Sequence, residues 1–215
     1  MTIARVHPRI VIATRTQLQA WRAALDAGAR RVGWKLAFGI EEVEALVGSH
    51  PALGHLTSVT LLEAGSTFSG AAVARKLVAE TELAVEVGPG ATVAGLAVAL
   101  EIVDTGRPPV GLEETITANV FHRAVAFGPT VKRTTHAGPS ARLRVGDEVR
   151  EVVRLTSDPD AVIADASRLV AAADEQLEPG DLILAGSACH VPVGPGDDVT
   201  AEIDGLGAVA ARIGP

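Results

Sequence analysis

Tyrosine is missing from these 215 residues, and Phe and Trp together bring the aromatic content to only 3%. A core must therefore be assembled from Ala, Val, Leu and Ile, through many small contacts rather than a few large rings. One cysteine, Cys189, excludes an internal disulfide and a thiolate metal cage. No basic run occurs. With 26 acidic against 19 basic residues the net charge is −7, so the electrostatic footprint of a nucleic-acid binder is absent. No apolar run reaches the ~18 residues of a membrane span, and the N-terminus MTIARVHPRIVIATRTQ has no long apolar signal core. A soluble cytoplasmic protein with no membrane contact is expected. What is present, 47% hydrophobic and 21% charged residues, suits one globular domain over 1–215.

The 22 glycines and 12 prolines point to many turns and short strands. Residues 1–30 read as a partly helical segment. Leu18, Trp21 and Leu25 recur at helical spacing after a Thr14 cap, and Gly28 is the expected stop. Val32, Trp34, Leu36 and Phe38 alternate with Gly33, Lys35 and Ala37, as in a strand. A short helix is expected over 40–47. Further strands are expected at 59–62, 76–87, 99–103, 125–131, 141–145, 148–155, 182–185 and 199–203. Turns separate them at Gly88-Pro-Gly, Arg107-Pro-Pro, Gly146-Asp and Gly194-Pro-Gly-Asp-Asp. A second amphipathic helix over 158–175 is opened by Asp158-Pro159, with proline at its first position. Many strands and few helices favour an α+β, mainly β fold, a rolled sheet with peripheral helices.

The segment Glu80-Thr-Glu-Leu-Ala-Val-Glu-Val87 carries two readings. In a strand, Glu80 and Glu82 share one face with Cα atoms roughly 7 Å apart, close enough for both side chains to reach one hard cation. Alternatively Glu80, Glu82, Ala84 and Glu86 form the wet face of an amphipathic edge strand. Glu101 also stands two ways. It lies in Ala94-Gly-Leu-Ala-Val-Ala-Leu-Glu101-Ile-Val103, apolar on both sides, where a buried carboxylate requires a cation, a basic partner or a loop. It also fits the polar edge of a helix, beside Asp104. Lys35, on the Gly33 side of its strand, is either a solvated lysine or a substrate ligand. The histidines (His7, His50, His55, His122, His136, His190) lack the spacing of a zinc site, and no serine occupies a Gly-x-Ser-x-Gly elbow. Gly88-Pro-Gly-Ala-Thr-Val-Ala-Gly95 lacks the lysine and glycine spacing of a phosphate loop and reads as a turn.

In order along the chain, Val32-Gly-Trp-Lys-Leu-Ala, Gly54-His-Leu, Glu80-Thr-Glu-Leu-Ala and Ala99-Leu-Glu-Ile-Val-Asp resemble the motifs of the fumarylacetoacetate hydrolase superfamily. So do Gly180-Asp-Leu-Ile-Leu-Ala-Gly, Pro195-Gly-Asp-Asp-Val-Thr-Ala-Glu-Ile and Asp204-Gly-Leu-Gly-Ala-Val. Over about residues 30–213 the chain is most similar to the 2-oxopent-4-enoate hydratase and 4-oxalocrotonate decarboxylase branch. The resemblance implies a mixed β-roll in which Glu80, Glu82 and Glu101 bind Mg²⁺ or Mn²⁺, with Lys35 as a catalytic, substrate-polarising cation. It further implies substrate contacts at Lys35, Asn119, Gly186 and Ser187, and a homo-oligomer. Oxygen-only ligands agree with a hard cation.

The expected chemistry is activation of a small 2-oxo acid through an enolate, first as a 2-oxopent-4-enoate-type hydratase. The alternatives are a 4-oxalocrotonate-type decarboxylase, an acylpyruvate hydrolase, and a homologue that binds metal and dicarboxylates without turnover. The chain departs from the family's hydratases in three places. Ala52, in Pro51-Ala-Leu-Gly54, stands where they carry an acid/base Asp. Thr117-Ala-Asn-Val-Phe keeps Asn119 but has Ala118 in place of the acid. The chain is also shorter at its N-terminus, so part of a helical lid is expected to be missing.

Overall fold

A computed structural model describes residues 6–48, 50–106, 111–132 and 138–215. The Arg107-Pro-Pro turn and His136 lie outside these residues. Among them run, in order, α1 (Pro8–Asp26), β1 (Arg31–Ala37), α2 (Glu41–Val47), β2 (Ala52–Thr57), β3 (Leu61–Leu62) and β4 (Thr67–Phe68). The long hairpin β5 (Leu77–Gly88) and β6 (Thr92–Asp104) follows, then α3 (Leu112–Thr117) and β7 (His122–Phe127). The chain ends with β8 (Ser140–Val145), β9 (Glu148–Arg154), α4 (Pro159–Ala172), β10 (Leu182–Pro192), β11 (Asp198–Ile203) and β12 (Gly207–Ile213).

The α+β, mainly β reading holds, and most expected strands form near their expected bounds. The first helix starts earlier than the Thr14 cap implied. Pro8 occupies its first turn, where a missing N–H costs nothing, and the His7 side chain accepts from Arg9 N at 3.3 Å. Thr14 is buried inside the helix with Ile10, Gln17, Leu18 and Trp21. The strand β2, the helix α3 and the strand β12 were not foreseen. Pro51 and Gly54 make β2 read as a turn, yet both faces of that strand are largely buried.

The strands form a seven-stranded sheet, ordered β2-β1-β10-β5-β6-β7-β3, and a five-stranded sheet, ordered β4-β12-β11-β8-β9. Strands β2 and β3 stand at opposite ends of the first order, yet only residues 58–60 join them. Three residues span about 10 Å, so the sheet must curl until its edges meet. Thr60 O, in that short link, accepts from Val125 N of β7 (2.9 Å) beside the β3–β7 pairing. The convex face packs on the second sheet through residues such as Leu83, Val85, Leu100, Leu143, Val199 and Ile203. Across this core Thr81 Oγ1 donates to Arg142 O at 2.9 Å. The opposite, inward face holds a separate cluster of Leu56, Ala84, Ala97, Ala99, Val125 and Leu184, small residues suited to a narrow roll.

Two features fix β1 beside β10. Gly33, at φ 152°, faces Leu182, where an added Cβ would lie 2.0 Å from the Leu182 carbonyl oxygen. Asp181 accepts from Arg31 and, at 3.0 Å, from Trp34 Nε1. The Arg31 guanidinium also lies over the Trp21 and Trp34 rings, at 5.7 and 5.2 Å from their centroids. Phe38, expected at the end of β1, lies just beyond it and is 47% exposed.

Candidate metal centre

Strand alternation places Glu80 and Glu82 on the inward face of β5, and the register pairs Glu80 with Glu101 and Glu82 with Ala99 on β6. Glu101 is therefore a strand residue, which removes the helix reading. One carboxylate oxygen from each of Glu80, Glu82 and Glu101 lies within 4.8 Å of the others. Lys35 on β1 reaches across the roll from the same face. Glu82, Glu101 and Lys35 are almost fully buried.

Glu101 is held on one side only. Its Oε1 accepts from Lys35 Nζ (2.6 Å) and from His122 Nδ1 (2.6 Å). The other His122 nitrogen, Nε2, is hydrogen-bonded with Thr60 Oγ1 at 2.8 Å. Among the described residues, Glu101 Oε2 is buried without a hydrogen-bond partner. An ionised oxygen in that position is costly unless a cation meets it. Glu82 Oε2 accepts from Gly186 N at 2.9 Å.

The electrostatics follow from this crowding. Burial pushes Glu80 up to about 7, helped by Glu101 and opposed by Lys35. Burial, then Glu101 and Glu80, hold Glu82 well above the carboxylate range. Burial also disfavours ionised Glu101, but Lys35 and His122 outweigh it and bring that group to about 2. Burial lowers Lys35, yet the three glutamates reverse this and raise it, so it stays an ammonium. Burial lowers His122 against the pull of Glu101. Fully ionised, three carboxylates and one ammonium carry a net charge of −2, which a divalent cation cancels. The orphaned Glu101 oxygen, the all-oxygen donor set and this charge balance fit a hard divalent ion.

A cavity of about 290 Å³ opens onto this centre. Lys35, Glu80, Glu82 and Ser187 line it, with apolar walls from Phe38, Ile40, Val120 and Phe121 and with Glu41 and Glu42 from α2. It shares Leu36, Phe38 and Ser187 with a neighbouring cavity of about 450 Å³ that includes Arg154. Of the expected substrate contacts, Lys35 and Ser187 line the site cavity, and Gly186 binds Glu82 through its backbone. A Cβ at Gly186 would lie 2.7 Å from the Phe38 ring. Asn119 is nearby, and its amide accepts from His55 N and donates one hydrogen to His55 O. Ala52 is completely buried with Ile40, Val43, Ile116 and Val120. His122 and Thr60 were missed by the sequence reading. Its strand was expected to begin at 125, and the contact of His122 with Glu101 depends on a register shift between Ile102 and Val103.

Residues 37–214 match the family described as fumarylacetoacetate (FAA) hydrolase, C-terminal. A 4-oxalocrotonate decarboxylase from Pseudomonas sp. is 28% identical over 205 residues, covering 86% of this chain and 80% of that protein. The 4-oxalocrotonate decarboxylase from Pseudomonas putida G7, complexed with magnesium and adipate, superposes with a TM-score of 0.81 at 21% identity. That match covers 95% of this chain and 86% of the other. Fumarylpyruvate hydrolase from Pseudomonas aeruginosa, in complex with Mn²⁺ and pyruvate, gives 0.61 at 20% identity, over 86% of this chain and 89% of that one.

Proposed function

This chain belongs to the fumarylacetoacetate hydrolase family, and on that premise we propose that it is a divalent-metal-dependent carboxy-lyase acting on a 4-oxalocrotonate-type 2-oxo acid. Glu80, Glu82 and Glu101 would hold Mg²⁺ or Mn²⁺. When bound, the ion supplies a Lewis acid that draws charge onto the carboxylate and 2-oxo oxygens of the substrate. Lys35 uses two of its three N–H donors on Glu101 and Val120. The third is available to the 2-oxo oxygen as that atom gains charge. Ser187 at the cavity wall and the Gly186 backbone border the substrate, and Asn119 supports Lys35 from behind.

The observation that carries this reading is Ala52, sealed in an apolar cluster where the family's hydratases hold an acid. In 2-oxohex-3-enedioate the C5–C6 bond breaks, CO₂ leaves, and the electron pair moves along the conjugated chain to the C2 oxygen. Protonation there gives 2-hydroxypenta-2,4-dienoate. No proton need be delivered to carbon. The relatives named 4-oxalocrotonate decarboxylase support the same choice. The hydratase reading, ranked first from sequence, is second here. It is favoured by Glu41 and Glu42, which line the cavity and offer carboxyl groups from α2 instead of β2.

The test follows 2-oxohex-3-enedioate by absorbance and CO₂ release, with Mg²⁺ or Mn²⁺, with chelator, and in Glu82→Gln. Metal-dependent CO₂ release that the mutant loses is expected. Water addition to 2-hydroxypenta-2,4-dienoate without CO₂ release would establish the hydratase instead. Metal-dependent oxalate binding with neither reaction would leave a binding protein.

A further inference from the structure

Asn119, Val120 and Phe121 adopt φ values of 57°, 49° and 65°. Three successive non-glycine residues in the left-handed region are costly, above all for β-branched Val120, and persist only where their surroundings hold them. The hold comes mainly from Asn119. Its Oδ1 accepts from His55 N at 2.8 Å and its Nδ2 donates to His55 O at 3.0 Å, so the amide pairs with β2 as a neighbouring strand would. Val120 N donates to Thr115 O (3.1 Å), and Phe121 O accepts from Asp104 N (3.0 Å).

The turn serves Lys35. Its Val120 carbonyl accepts from Lys35 Nζ at 3.2 Å, while Glu101 Oε1 takes a second hydrogen at 2.6 Å. Gly54 faces Lys35 across β1 and β2. A Cβ there would lie 2.5 Å from Lys35 Cγ, 2.9 Å from Cδ and 3.0 Å from Asn119 Oδ1. The four-carbon stem of Lys35 therefore threads a sleeve with Gly54 on one wall and the clamped turn on the other.

We propose that Asn119 is a positioning residue that clamps the left-handed turn to β2, so that the turn and Gly54 together aim Lys35 at Glu101 and the cavity. This replaces a substrate contact as the role of Asn119. The kinetic part of its test rests on the function proposed above, and the labelling part does not.

Asn119→Gly removes both hydrogen bonds while glycine adopts positive φ freely, so the turn itself remains accessible. Lys35 is one of three lysines in the chain, and Lys76 and Lys132 are exposed references. Treatment with a small acylating reagent, read by peptide mass, should label Lys35 about tenfold faster relative to Lys76 than in the wild type. With Mg²⁺, kcat should fall by about tenfold while KM stays within about twofold. Gly54→Ala presses on Lys35 from the other wall and should lower kcat with Asn119 intact. Unchanged Lys35 protection in Asn119→Gly overturns the proposal, and so does a raised KM at constant kcat, which would make Asn119 a substrate contact. If the wild type turns over neither substrate, the proposed function fails and the labelling ratio alone decides the role of Asn119.

Discussion

Without metal, the glutamate cluster should cost stability as pH rises from 5 to 8, and a saturating divalent cation should remove most of that loss. Below about pH 6.5, His50, His55 and His122, whose values burial lowers, act in the opposite direction. Glu80 carries the loss. Its ordinary value is 4.5, and burial with the adjacent Glu101 pushes it up to about 7 in the folded protein. In the unfolded chain the group ionises near 4.5. Between these values the folded state holds the extra proton, so each step up in pH favours unfolding. Over about 2.5 pH units, at ~1.4 kcal/mol per unit, the upper bound for Glu80 is ~3.5 kcal/mol. Glu82, held well above its ordinary value by burial and by Glu101 and Glu80, acts in the same direction. Burial opposes ionised Glu101, but Lys35 and His122 keep it near 2, so it is charged in both states across this window and adds no slope there. For a chain of this size ~3.5 kcal/mol corresponds to roughly 7–14 °C in Tm. A cation at 100 times its Kd returns about 2.7 kcal/mol at the pH where the carboxylates are ionised. The assay is thermal unfolding between pH 5.5 and 8.5 at constant ionic strength, with chelator and with Mg²⁺ or Mn²⁺. Glu80→Gln, neutral throughout, should remove the Glu80 share of the metal-free slope and leave the Glu82 share. A metal-free wild type whose Tm falls no more steeply with pH than that of Glu80→Gln would refute the reasoning, as would a slope that the cation leaves unchanged.

Lys35→Met keeps most of the apolar stem and removes the ammonium, so kcat should fall by about 10²–10³ while Mg²⁺ binding, read by calorimetry, persists. Equal activity in that variant would remove Lys35 from the chemistry. Ala52→Asp places a carboxyl among Ile40, Val43 and Ile116, and should cost at least ~2 kcal/mol without creating hydratase activity. An unchanged Tm together with new water addition to 2-hydroxypenta-2,4-dienoate would count against the apolar reading of that wall. Gly33→Ala drives a Cβ into the Leu182 backbone and should cost more than ~4 kcal/mol, seen as loss of soluble folded protein. Wild-type yield and circular dichroism from this variant would mean that β1 and β10 pair less closely than the register states.

Local pattern alone determined which of the site's side chains share a strand face. Period-two alternation is a property of the extended chain itself, so the placement of Glu80 with Glu82, and of Lys35 opposite Trp34, could be read before any packing was known. Helix α4 announced its start through Asp158-Pro159, because a capping side chain and a proline act within one turn. Glu101 was ambiguous for a physical reason. Strand β6 is buried on both faces from Gly95 to Asp104, so both faces are apolar and the alternation that would have identified it disappears. Strand β2 was hidden by Pro51 and Gly54. Gly54 looks like a turn residue, yet it is the gap through which the Lys35 stem passes.

The rest depended on distance in the folded chain rather than spacing along it. Closure of the roll brings β2 to β3, and cross-strand register brings His122 to Glu101 and Glu80 to Glu101. The sequence by itself determined which residues carry acid, amine and glycine, and which face of its own strand each occupies. Only the tertiary structure decided which faces meet and which carboxylate Lys35 neutralises. It also decided that Ala52 lies in an apolar wall. Those outcomes are set by long-range packing and by the cost of burying unpaired charge, and neither is local to any stretch of the chain.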